Sequence, residues 1–197
     1  MKLDRFIAIA AVVVFAFAGD YAQPAAKKGT PPADGGSSDI WQKYEFKDDM
    51  FRIRFPGRPK VTVDPKDPSG VVLSSRMYEL TGPTVIYVAA ARFAVDFEKL
   101  GKAAEVLEAG KTSGMAAIRN QKPDTYKEEN ITVQGHPGKS VHVETTDGLA
   151  YRYRVIIAND RLYAFCVGFQ KANQSAKNIK NDPETMAMAF LDSFEIL

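Results

Sequence analysis

The sequence predicts an α+β fold: an antiparallel sheet of about six strands flanked by two helices, an α/β/α sandwich. Three observations predict it. Runs rich in β-branched and aromatic residues recur at hairpin spacing between residues 44 and 169. Residues 97–118 and the stretch after Asp182 carry helical patterning instead. Residues 161–169 put apolar side chains on both strand faces, so the sheet needs cover on both sides, and helices must supply it.

The elements follow in order. Residues 44–55, YEFKDDMFRIRF, read as two short extended pieces around Lys47-Asp48-Asp49, with Phe51, Ile53 and Phe55 on one face. Pro56-Gly57-Arg58-Pro59 stops the second piece. Residues 71–80 and 84–93 suit a hairpin around Thr81-Gly82-Pro83. Residues 97–118 bring Leu100, Ala103, Ala104, Leu107, Met115 and Ile118 close to one helical stripe. Gly101, Gly110 and Gly114 each cost about 1 kcal/mol in a helix interior, so a break near one of them is expected. A short strand over 129–134 and a turn at Gly135-His136-Pro137-Gly138 come next.

The following hairpin has a predictable register. A three-residue loop Thr146-Asp147-Gly148, with Gly148 left-handed, sets Val143 against Tyr151 and Val141 against Tyr153. His142, Glu144, Arg152 and Arg154 then share the opposite face. A two-residue loop would set Val143 against Arg152, mixing apolar and charged positions. Asn159-Asp160 turns the chain into residues 161–169, pairing Ile157 with Leu162 and Tyr153 with Cys166, and leaving Tyr163, Phe165 and Val167 on the Arg152 side. The last helix has Asp182 as N-cap, Pro183 at its first position and Glu184 in its first turn, with Met186, Ala189 and Phe190 on one side. Residues 193–197 return as a short strand.

Composition narrows the function. The 197 residues carry 26 Lys and Arg against 24 Asp and Glu, a net charge of +2, too even for a phosphate-tracking surface, so no nucleic-acid partner is expected. One cysteine excludes an internal disulfide, and two histidines leave too few ligands for a closed zinc site. Residues 1–18 have the plan of a secretory signal peptide: Lys2 and Arg5 in a charged start, an apolar run over 6–18, and Ala16-Phe17-Ala18 before a cut at Gly19. As a helix the apolar run rises about 20 Å, short of the roughly 30 Å hydrocarbon core, so no stable membrane span is expected after cleavage. Residues 19–39 are rich in Pro, Gly, Ala and Ser and read as a flexible linker, leaving 40–197 as a single domain. The expected location is extracytoplasmic, periplasmic or secreted.

Four pieces together carry a family resemblance: residues 51–59, FRIRFPGRP; Gly135-His136-Pro137-Gly138-Lys139; Asn159-Asp160-Arg161-Leu162-Tyr163; and Phe190-Leu191-Asp192-Ser193-Phe194. In this order the chain resembles the small exported bacterial proteins with a PsbP-like fold, the Mog/PsbP type of α/β/α sandwich, over residues 44–197. The resemblance implies a non-catalytic sandwich that serves as a protein-binding or accessory module.

The chemistry is sparse. His142 and Glu144 project to the same face of a strand, so a His-x-Glu pair could offer two metal ligands; the plainer reading pairs Glu144 with Arg152 or Arg154 across the hairpin. Cys166 sits in the apolar run Tyr163-Ala164-Phe165-Cys166-Val167 and reads as a small buried hydrophobe. Ser74 and Ser75 lack a nucleophile elbow, and no phosphate-binding loop is present. Asp48-Asp49 and Glu128-Glu129 read as solvated surface with side chains pointing apart. Arg52, Arg54, Arg58 and Lys60 read as outward positions of a strand and its exit. No catalytic, cofactor or metal residue is assigned. The candidate binding face is His142, Glu144, Arg152 and Arg154. The expected function is an exported non-enzymatic binding or accessory domain for an extracytoplasmic protein or envelope component; the alternatives are a small metal-dependent hydrolase or a small-ligand carrier with its pocket between helix and sheet.

Overall fold

The computed structural model describes residues 41–64, 67–82, 84–119, 123–171 and 182–197. The expected signal peptide (1–18) and linker (19–39) lie outside these residues.

The α+β architecture is observed, built from two antiparallel sheets. The larger has seven strands in the order β3 (Lys60–Val63), β4 (Val72–Leu80), β5 (Thr84–Phe93), β9 (Arg161–Gln170), β8 (Leu149–Ala158), β7 (His136–Thr145) and β6 (Pro123–Val133). The smaller has β2 (Phe51–Phe55) between β1 (Gln42–Phe46) and β10 (Glu195–Ile196). Helix α1 (Ala103–Arg119) covers one face of the large sheet. Helix α2 (Pro183–Asp192) and the small sheet cover the other.

Both hairpin registers argued from the sequence are observed. Val143 faces Tyr151, Val141 faces Tyr153, and Gly148 takes φ +83° at the loop end. Ile157 faces Leu162 and Tyr153 faces Cys166, after a turn in which Asn159 has φ +57°. The core is accordingly two layers. Val141, Val143, Tyr153, Val155, Leu162 and Cys166 pack with Val106, Leu107 and Met115 of α1. Phe51, Ile53, Phe55, Tyr163, Phe165 and Val167 pack with Phe190 and Leu191 of α2 and with Phe194.

Several expectations are corrected. The expected sheet of about six strands is seven plus a separate sheet of three: β3 is only four residues long, with Val61 and Val63 left exposed, and most of β6 is polar, and among the described residues both lie at sheet edges. The β6–β7 turn is Gln134-Gly135 alone, with φ +50° and +88°, so His136, Pro137 and Gly138 belong to β7. The break expected near one of the glycines falls at Gly101, φ +65°, so the first helix starts only at Ala103 and Leu100 lies outside it, exposed. It runs unbroken through Gly110 and Gly114, which sit where Val155, Leu162 and Tyr153 press against it. Helix α2 buries Ala187, Phe190 and Leu191; Ala189 is exposed and Met186 only half-buried. The N-cap is as expected, Asp182 Oδ2 accepting from the Thr185 amide at 2.9 Å.

The two sheets are tied together by Gln134. Its Oε1 accepts from the Ile196 amide at 2.6 Å and its Nε2 donates to the Ile196 carbonyl at 3.4 Å, so a side-chain amide stands in for a strand neighbour beside β10.

Candidate functional site

Alternation along β7 and β8 puts His142, Glu144, Arg152 and Arg154 on the sheet face that looks toward α2. The sequence reading brought these four together and the structure does the same: His142 faces Arg152 across the ladder, and Arg154 faces Ser140. The sequence reading missed the acids that α2 supplies. Glu184 and Asp192 lie eight residues apart on that helix, about two turns, and each reaches down to one arginine.

Arg152 is only 4% exposed, and every arm of its guanidinium is engaged. Nε donates to Glu184 Oε1 at 2.6 Å, Nη2 to Glu184 Oε2, and Nη1 to the Tyr151 carbonyl at 3.1 Å. Glu144 Oε1 lies 3.5 Å from Nη2, and the Phe169 ring stacks under the cation at 5.6 Å. The second Glu144 oxygen accepts from Lys171 at 2.6 Å. Arg154 donates to Asp192 at 2.7 Å. Three cations therefore meet three carboxylates: Arg152, Arg154 and Lys171 against Glu144, Glu184 and Asp192. The Lys171 bond holds the Glu144 carboxyl below its ordinary value, with Arg152 adding to the effect. Burial, then the neighbouring Arg152 charge, pushes His142 below the usual histidine value, so the ring favours the neutral form.

A neutral imidazole beside a carboxylate is the start of a metal site, yet Glu144 is already held by two cations. The other histidine is six residues away along β7, about 20 Å, and its Nδ1 lies 2.7 Å from Glu98 Oε1. Among the described residues no three His, Cys, Asp or Glu side chains gather where they could hold an ion. Cys166 faces the α1 layer, and burial pushes its thiol up to about 12.

Asp49 corrects the reading of Asp48-Asp49 as solvated surface. It is 1% exposed, accepts from Arg76 Nη1 at 2.7 Å and from the Tyr78 hydroxyl, and its backbone carbonyl accepts from the Tyr163 hydroxyl at 2.8 Å. Burial and the Asp49 hydrogen bond together raise the Tyr78 hydroxyl. The turn carrying Asp49 is thus fastened to the large sheet. Glu128 and Glu129 do point apart, but Glu128 joins Lys111, Lys139 and Glu108 in an ion cluster between β6, β7 and α1. Arg52 and Arg54 occupy outward strand positions, Arg52 pairing with Glu195.

On the α1 side, an open groove of about 1190 Å³ runs between the helix and the β6–β7 hairpin. Leu107, Ile131 and Pro137 line it, and Glu108 and Lys139, 3.0 Å apart, stand at its rim. No helix among the described residues is long and apolar enough to cross a membrane.

No protein-family model matches the chain, and no curated protein does. Among solved structures it is similar to cyanobacterial PsbP (CyanoP) from Synechocystis sp. PCC 6803, at 14% identity over 85% of this chain and 100% of that one, with a TM-score of 0.49. It is similar to the extracellular domain of PknH from Mycobacterium tuberculosis, at 9% identity over 69% of this chain and 81% of that one, TM-score 0.34. A protein of unknown function from Pseudomonas aeruginosa, PA94, described as a putative regulator, shares 14% identity over 76% of this chain and 94% of that one, TM-score 0.32. These are likenesses of fold, and the fold itself rests on the strand pairing above.

Proposed function

We propose that the protein is an exported, non-enzymatic binding or accessory domain that recognises an extracytoplasmic protein or envelope component. One observation carries the non-enzymatic part: the side chains best suited to chemistry are consumed as scaffolding. Arg152 and Arg154 are clasped by α2, Glu144 by Lys171 and Arg152, and Cys166 is buried with its thiol strongly protonated. A reactive centre needs groups left available to a substrate; here the charges cancel in pairs. The leader-like residues 1–18 support the exported part.

Cell fractionation tests export, with the protein expected outside the cytoplasm and shortened at its N-terminus. Affinity capture from that fraction tests binding, with one recurrent partner expected in reciprocal captures; repeated failure to return any specific partner counts against the reading. Metal analysis of purified protein tests its rival, a metal-dependent hydrolase. Bound metal that disappears in His142→Ala would favour the hydrolase over the binding domain.

The groove between α1 and the β6–β7 hairpin favours a second reading, a small-ligand carrier, since it places apolar lining where such a ligand would lie. Native mass spectrometry of the purified protein distinguishes this reading by a retained apolar ligand.

A further inference from the structure

Strand β6 is the longest of the large sheet, 11 residues, and among the described residues nothing pairs with its outer side. The opposite edge, β3, has only four residues, too short to recruit another strand. The tight Gln134-Gly135 turn makes Val133 and His136 a hydrogen-bonded pair, so odd-numbered residues from Thr125 to Val133 point their N–H and C=O at β7, up to the register shift between Pro123 and Thr125. Pro137, which has no N–H, falls opposite Thr132 in a pair that exchanges none. Tyr126, Glu128, Asn130 and Thr132 therefore direct their backbone groups outward, away from the sheet.

We infer that β6 is the pairing edge of a homodimer, aligned antiparallel with β6 of a second copy about a two-fold axis through Glu128. Glu128 is the midpoint of Thr125–Ile131, so this register pairs that regular stretch in full, short of the irregularity between Pro123 and Thr125. It sets Tyr126 opposite Asn130 of the second copy in hydrogen-bonded pairs, and the three central pairs exchange about six backbone hydrogen bonds. It also sets Lys127 opposite Glu129 of the second copy, twice, in the closer non-hydrogen-bonded positions where side chains meet best. Thr125 meets Ile131 in the same class of pair. Moving the axis to residue 127 would set Lys127 against Lys127, and moving it to residue 129 would set Glu129 against Glu129. The two Glu128 side chains at the axis are not bare charges. Each is drawn back toward α1 by Lys139 at 2.7 Å and Lys111 at 2.9 Å.

The test is light scattering of the purified protein after size exclusion, over about a hundredfold range of concentration, since dimer formation follows mass action. Wild type is expected to shift from monomer to dimer across that range. Lys127→Glu and Glu129→Lys, each replacing two attractions with two repulsions, should weaken the dimer about tenfold. The swap Lys127→Glu/Glu129→Lys should restore it. Asn130→Pro, which deletes an outward N–H while leaving the β6–β7 bonds in place, should abolish it. Circular dichroism melts confirm that each variant is folded. A wild type that stays monomeric overturns the inference. So does a dimer indifferent to the single reversals, or one the swap does not restore.

Discussion

Arg152 and Glu184 are joined by a two-bond fork that crosses from β8 to α2, with the arginine Nε donating to Oε1 at 2.6 Å and Nη2 to Oε2. The cation is almost wholly buried and the acid is partly open to water, so the fork matters mainly as the partner of a buried charge. Glu184→Gln is expected to destabilise the domain by about 1–2 kcal/mol, because Glu144 and the Tyr151 and Val143 carbonyls, which accept from Nη1 at 3.1 and 3.5 Å, still hold Arg152. Arg152→Ala, which also removes the stem stacked on Phe169, should cost more. Urea unfolding midpoints of the two variants decide the order.

Gly114 faces Tyr153 so closely that a Cβ there would sit 2.5 Å from the ring. Helix propensity alone would reward Gly114→Ala by about 1 kcal/mol. Overpacking of an aromatic ring wins, and a net loss of about 1–2 kcal/mol is expected. At Gly110 the nearest atom is a Val155 methyl at 3.1 Å, which can yield, so Gly110→Ala should change stability by less than about 1 kcal/mol. Thermal melts of the pair measure the contrast.

Glu128 gives the domain an acid sensitivity. Burial alone would raise its carboxyl, but Lys139, Lys111 and Tyr126 outweigh burial and bring it down from 4.5 to about 2. A carboxyl lowered on folding contributes stability above its unfolded value and loses it as pH falls toward the folded one. The loss should therefore fall between pH 4.5 and about 2. Solvent screening limits it to about 1–2 kcal/mol. In Glu128→Gln this part of the pH dependence is expected to vanish, as read from denaturant midpoints at each pH.

Cys166 should resist thiol reagents in the folded protein at pH 8, because burial holds the thiol near 12 and out of reach. Intact-mass measurements after alkylation should show modification only once denaturant is added. Rapid labelling of the native protein would contradict the buried placement.

Where the sequence carried an asymmetric apolar pattern, structure was legible in it. The register at Gly148 could be chosen because one alternative set Val143 against Arg152, and the tight turn read at Asn159-Asp160 gave the next pairing. Asp182-Pro183 marked the helix start by its capping chemistry. The edge strand β6, by contrast, reads PDTYKEENITV, and a strand exposed on both faces has no period to detect. The fate of Asp49 was hidden for another reason. A carboxylate in a polar turn looks solvated until Arg76 and Tyr78, distant in sequence, are folded over it. The candidate face was legible on β7 and β8, whereas Glu184 and Asp192 belong to it only through tertiary packing of α2.

The side of the large sheet that α2 protects is finished by residues 182–197, which bring the helix, Phe194 and β10. A chain made from its N-terminus onward keeps Phe51, Ile53 and Phe55 without that cover until residues 182–197 have followed, and Gln134 waits for Ile196 as well. This layer of the hydrophobic interior thus closes later than the one under α1, and a chain lacking residues 182–197 would leave Phe51, Ile53 and Phe55 without the Phe190, Leu191 and Phe194 side chains that pack on them.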